Sequence, residues 1–230
     1  MKRRREGGFT LIEIAIALVI LGLLLTGLLG PLSTRVEQAE RQKTSELMDE
    51  LKDALLGYAA TYGFLPCPST QPDPTNANYG LADVSCPGAA TADGYLPWRT
   101  LGISATDAWG GLRIQATDPW VGYWRYRVDR NFVGPTLITL TTPFSVDALS
   151  VLDPIGTPLT GTPPAPPAEL PVAIVFSAGG NRVPDGENAD YEATNGVYQG
   201  GGYSATFDDI TIWIGRPLLF NRMIAAGRLP

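Results

Sequence analysis

Apolar and polar positions along the chain fall into three rhythms. From Phe9 to Gly30 nearly every position is apolar, and the one charge is Glu13. At about 1.5 Å rise per residue this run predicts a helix of about 33 Å, enough to cross a bilayer core. Over residues 31–63 the rhythm changes. Leu47, Leu51, Leu55, Tyr58 and Tyr62 recur at steps of three or four, with Glu37 and Arg41 four apart on a polar side. A single long helix is therefore expected from Phe9 to about Tyr62, hydrophobic at first and amphipathic afterwards. Beyond Gly63 the helical period stops. Strand-like runs appear at residues 111–115, 121–128, 137–141, 172–177 and 210–214, and predict an antiparallel sheet packed on the helix, an α+β fold. The tail RPLLFNRMIAAGRLP predicts a closing helix, with Pro217 near its start and Gly227 at its end. Between the strand runs, Asp153 to Pro171 is dense in proline and is expected to be an exposed, partly polyproline loop.

Composition narrows the function. A chain of 230 residues supports one sizeable core, and its 26 glycines and 20 prolines predict many turns. The net charge is -6, although Lys2, Arg3, Arg4 and Arg5 cluster ahead of Glu6, so the remainder is more acidic than the whole. Nucleic-acid binding needs clustered Lys and Arg on a folded surface, and no such partner is expected. There is no histidine. That removes Ser-His-Asp and Cys-His catalysis, His-ligated zinc and a His general base. No nucleophile elbow, P-loop or dinucleotide fingerprint is present, and Asp208–Asp209 would point to opposite faces of a strand. No enzymatic activity is expected.

The basic cluster holds the N-terminus in the cytoplasm and sends the rest of the chain outward. Cys67 and Cys86 lie on that outer side, in the loop stretch FLPCPSTQPDPTNANYGLADVSCPG, and are expected to be paired, a bond worth about 3 kcal/mol by loop closure. A secretory signal peptide fits poorly, because no A-x-A-like site follows the apolar run. A plain anchor leaves Glu13 unexplained: a charge inside the bilayer costs roughly 2.5–3.5 kcal/mol.

The leader ending Gly7-Gly8, followed by Phe9-Thr10-Leu11-Ile12-Glu13 and an apolar helix, resembles the class III signal of type IV pilins and type II secretion pseudopilins. The resemblance implies a pilin-like fold and cleavage by a prepilin peptidase between Gly8 and Phe9. It also implies N-methylation of Phe9, and a Glu13 that neutralises the N-terminal amine of a neighbouring subunit. An ion pair in low dielectric recovers much of what desolvating each charge costs. The implied organisation is a leader over residues 1–8, a transmembrane and fibre-core helix over 9–30, its amphipathic continuation over 31–63, and a periplasmic domain over 64–230 with the proline-rich loop at 153–171. The implied partners are other subunits, the peptidase and N-methyltransferase, and an inner-membrane assembly platform. The implied place is the bacterial inner membrane and then a pilus (fimbrium) or pseudopilus, as a minor or specialised subunit. Gly22, Gly30 and Pro31 are candidate points of helix flexibility, where the helix either melts in the fibre or bends at the membrane surface.

The loop SAGGNRVPDGENADYE concentrates Asp185, Glu187, Asn188, Asp190 and Glu192, and Asp208 and Asp209 are available to fold back on it. Oxygen-rich clusters of this kind suit Ca²⁺. The loop is similar to the calcium loop of the major pseudopilin of type II secretion, and DPWVGYWRY resembles the segment ahead of it. Gly180-Asn181 stands where that family favours an Asp, and solvated turn residues are the other reading. A second hypothesis for the whole chain is a tethered binding module that does not polymerise, with Trp98, Trp109, Trp120, Trp124 and Trp213 lining a ligand or glycan groove.

Overall fold

A computed structural model describes residues 10–84, 86, 93–110, 122–146, 148–161, 169–190 and 196–230, with the backbone course alone at residues 24–33, 93 and 190. The expected strand at 111–115 lies outside the described residues. The chain divides into two compact units, Met1–Glu40 and Arg41–Pro230. Helix α1, Leu11–Tyr62, contributes to both.

In the first unit, the stretch of α1 over residues 11–23 presents apolar side chains to the outside on every face. Leu11 is 91% exposed, and Ile14, Leu18, Val19, Ile20 and Leu21 are exposed as well. An all-round apolar helix is the pattern of a helix that lies in lipid or among other helices. Among the described residues no helix is long and apolar enough to cross a membrane. The span expected over residues 9–30 falls partly outside them, at residue 9 and at the side chains of 24–30. The helix is unbroken through Gly30 and Pro31.

In the second unit one side of α1 is core. Met48, Leu51, Leu55, Leu56 and Ala59 are buried, together with Thr44. The stripe therefore ends on Ala59. Tyr62, expected within it, is 53% exposed and stacks against Tyr58 at 4.4 Å between ring centroids. The buried face meets a four-stranded antiparallel sheet of order β1-β2-β4-β6: β1 Asp93–Tyr95, β2 Arg125–Val128, β4 Pro171–Ser177 and β6 Ile210–Gly215. A two-stranded parallel pair, β3 Ser150–Leu152 with β5 Val197–Gln199, packs on the other side.

Central strand β4 explains this layering. Side chains alternate across a strand, so Ala173 and Val175 enter the cluster around α1 while Ile174 and Phe176 meet Leu149, Val151 and Tyr198. Covered on both faces, PVAIVFS reads as a continuous apolar run. The expected strand at 121–128 forms only from Arg125. The one expected at 137–141 is a turn. The Thr142 N–H donates to Thr139 O, and the Thr139 N–H donates to Thr142 Oγ1. Threonine hydroxyls so close together supply local partners that compete with a ladder.

Helix α2, Trp98–Leu101, is one turn. Helix α3, Arg216–Ala225, carries Pro217 in its first turn and buries Leu219 and Met223. The chain reverses at Gly227 (φ +71), and Arg228 Nε donates to Ala60 O, satisfying one of the carbonyls left open at the end of α1. Cys67 and Cys86 form a disulfide, with Cα atoms 5.5 Å apart.

Candidate functional site

The first candidate is the start of α1. Gly8 and Phe9 lie outside the described residues, but Glu13 is within them and has a local partner. The Thr10 N–H and the Thr10 hydroxyl both donate to Glu13 Oε2 at 2.8 Å, and the Glu13 N–H donates to Thr10 Oγ1 at 3.3 Å. This reciprocal arrangement is a capping box: each side chain satisfies a backbone donor that the first helical turn leaves open. Its signature, T-x-x-E ahead of an apolar run, is present in the sequence, although the family resemblance points to Glu13 only as half of an intersubunit pair. Farther along α1, a Cβ added at Gly22 would meet nothing within 4 Å, so packing inside this chain does not require that glycine.

The second candidate is the loop that follows β4. It turns sharply at Gly179 (φ +61), Arg182 (φ +62) and Gly186 (φ +54), conformations that glycine adopts freely. A side chain at Gly179 could not fit, since its Cβ would lie 2.5 Å from Asp208 O. The folded loop brings Asp185 against Asp208 and Asp209, with one oxygen of each carboxylate within 4.8 Å of the others. Asp208 and Asp209 precede β6, so the alternation that would separate them on a strand does not apply.

A backbone N–H holds an oxygen of each acid. Asp208 N–H donates to Asp185 Oδ2 at 2.9 Å, Asn181 N–H to Asp208 Oδ2 at 3.0 Å, and Asp185 N–H to Asp209 Oδ2 at 3.0 Å. Asn188 Nδ2 adds a second donor to Asp209 Oδ2 at 2.8 Å. The remaining oxygens, Asp208 Oδ1 and Asp209 Oδ1, are buried and have no hydrogen-bond partner among the described residues. Burial raises the pKa of Asp208. It raises that of Asp209 to about 7, opposed by its hydrogen bonds and reinforced by the charges of Asp185 and Asp208. Three acids this close repel one another unless a cation or protons intervene. Calcium, with oxygen ligands at about 2.3–2.6 Å, fits a spacing of this size.

Two of the other expected ligands, Glu187 and Asn188, do not offer oxygens here. Glu187 is exposed, and Asn188 acts as a clamp, because its Oδ1 accepts from the Gln199 N–H at 2.8 Å. The Asp190 side chain and Glu192 lie outside the described residues. Two buttresses were missed by sequence reasoning. The Ser177 hydroxyl donates to buried Asp107 Oδ2 at 2.5 Å, and Arg41 Nη1 donates to Asp208 O at 3.0 Å while its guanidinium sits 4.3 Å from the Tyr203 ring centre. These contacts join residues too far apart in the chain for spacing to reveal them. Two of the five tryptophans expected in a surface groove are interior. Trp98 and Trp124 are 7% and 1% exposed, Trp109 and Trp213 are half-buried, and Trp120 lies outside the described residues.

Residues 3–29 match the family model described as the prokaryotic N-terminal methylation motif. The chain thus carries a prokaryotic N-terminal methylation motif, with Gly8, Phe9 and Glu13 inside the matched stretch. That match supports a type IV pilin- or pseudopilin-like protein. No curated protein and no solved structure matches the chain.

Proposed function

We propose that this chain is a structural subunit of a type IV pilus or type II secretion pseudopilus. Prepilin peptidase cuts it between Gly8 and Phe9, and the new terminus is N-methylated. The mature chain waits as a single-pass protein of the bacterial inner membrane, its globular unit in the periplasm, and polymerises through its N-terminal helix as a minor subunit. Its work is mechanical, without a catalytic step. The observation that carries this reading is the methylation motif over residues 3–29 with Glu13 inside it. Glu13 pairs with the amine released at Phe9 of a neighbouring subunit, which offsets the roughly 2.5–3.5 kcal/mol a lone intramembrane charge costs. Replacing Glu13 by Ala keeps the subunit membrane-inserted and removes it from filaments. Filaments that still contain normal amounts of the Glu13→Ala subunit would refute the assembly role.

A second property is proposed for the acidic loop. The buried Oδ1 atoms of Asp208 and Asp209, which lack donors among the described residues, favour occupation by Ca²⁺, with Asp185 as the third ligand. Calcium at a hundredfold excess over Kd raises stability by about 2.7 kcal/mol. Thermal melting of the full chain in detergent, with calcium and with a chelator, reads this directly; superimposable curves would remove the claim.

A further inference from the structure

The capping box divides the Glu13 carboxylate between two tasks. Oε2 takes both Thr10 donors, whereas no donor reaches Oε1 among the described residues. Thr10 Oγ1 is itself held by the Glu13 N–H, so the hydroxyl and the carboxylate fix each other. Beside them a groove of about 380 Å³ runs along the helix, lined by Glu13, Ile14, Ala17, Leu18 and Leu21. The carboxyl group is the only charge among those lining residues.

We infer that Thr10 is a positioning residue for Glu13: its two donors fold the carboxylate back over the first turn and leave Oε1 for a cation carried by a second copy of the chain. This rests on the assembly reading above, in which that cation is the amine at Phe9. A free glutamate would lose rotamer freedom on pairing and would enter an apolar contact with both oxygens unsatisfied. The box imposes that order beforehand and satisfies one oxygen, which is preorganisation within a single subunit. Threonine suits the role because its branched Cβ restricts χ1 and its hydroxyl donates and accepts at once. Serine keeps the hydroxyl chemistry, and valine keeps the shape without it.

The test uses the full-length chain in its native host. The amount of mature subunit in sheared filaments is compared with that in membranes, and mass spectrometry of the N-terminus verifies processing. Thr10→Val lowers incorporation about fivefold, the effect of losing a good cap, and Thr10→Ser retains it. Glu13→Gln still closes the box through its amide oxygen but carries no charge, and its incorporation is lost. Adding Thr10→Val to Glu13→Gln changes nothing further. Normal incorporation of Thr10→Val, or a Thr10→Ser subunit as poor as Thr10→Val, overturns the positioning role while the loss in Glu13→Gln leaves the assembly reading standing. Normal incorporation of Glu13→Gln overturns the assembly reading itself. Amide exchange in the membrane-bound chain gives a readout independent of cleavage. The Glu13 N–H exchanges faster in Thr10→Val and the Thr10 N–H faster in Glu13→Ala; unchanged rates at both amides overturn the inference.

Discussion

Asp209 has no exposed surface, and the donors around it serve only one of its two oxygens. Burial lifts its pKa to about 7, far above the ordinary value of 3.8, so without a cation the folded chain keeps a proton that the unfolded chain has released. Stability without calcium therefore falls as pH rises from about 4 to about 7, and levels off above that. Under the calcium proposal, the ion is expected to remove the decline at neutral pH. Melting temperatures at pH 5 and pH 7.5, with chelator and with calcium, check the sign; a chelated protein more stable at pH 7.5 than at pH 5 would contradict it. Asp209→Asn is expected to raise stability in chelator at pH 7.5 and to abolish the response to calcium. The sequence groups Asp185, Asp208 and Asp209, which the fold brings together, with Glu187, Asn188 and Asp190, because composition counts oxygens without saying which are already engaged. Asn188 Oδ1 is taken by the Gln199 N–H, a partner eleven residues away. At Glu13 the reverse holds: the resemblance singles the residue out, while its local partner Thr10, only three positions back, carries no mark in that resemblance beyond the T-x-x-E spacing.

Among the elements, α1, β4, β6 and α3 were legible because each is long enough to express its period. Helix α1 places Met48, Leu51, Leu55 and Ala59 in the core, and Leu55→Ala is expected to cost about 2–5 kcal/mol in denaturant unfolding, since its side chain is fully buried. Tyr62→Ala, at an exposed position, is expected to cost about 1 kcal/mol or less. Strands β1, β3 and β5 have three residues each, too few for alternation to stand out from chance. The parallel pairing of β3 with β5 depends on long-range return of the chain, which no local pattern encodes. The turn at 139–142 was mistaken for a strand because threonine favours both settings; hydroxyl bonds to nearby backbone decided between them.

For the whole molecule, the two compact units divide the work: the first carries the segment that is matched to the methylation motif, and the second carries the sheet and the acidic loop. The Cys67–Cys86 disulfide closes a separation of 19 residues within the second unit. Its removal by Cys67→Ser with Cys86→Ser is expected to cost about 3 kcal/mol of stability. The proposed assembly depends on a cut between Gly8 and Phe9, which makes the amine that Glu13 then meets in a neighbour. Intact-mass and N-terminal peptide mass spectrometry of the chain purified from its own cells tests it most directly. A mature chain beginning at N-methylated Phe9 is expected; a chain that still begins at Met1, or one cut elsewhere, refutes assembly through this pair.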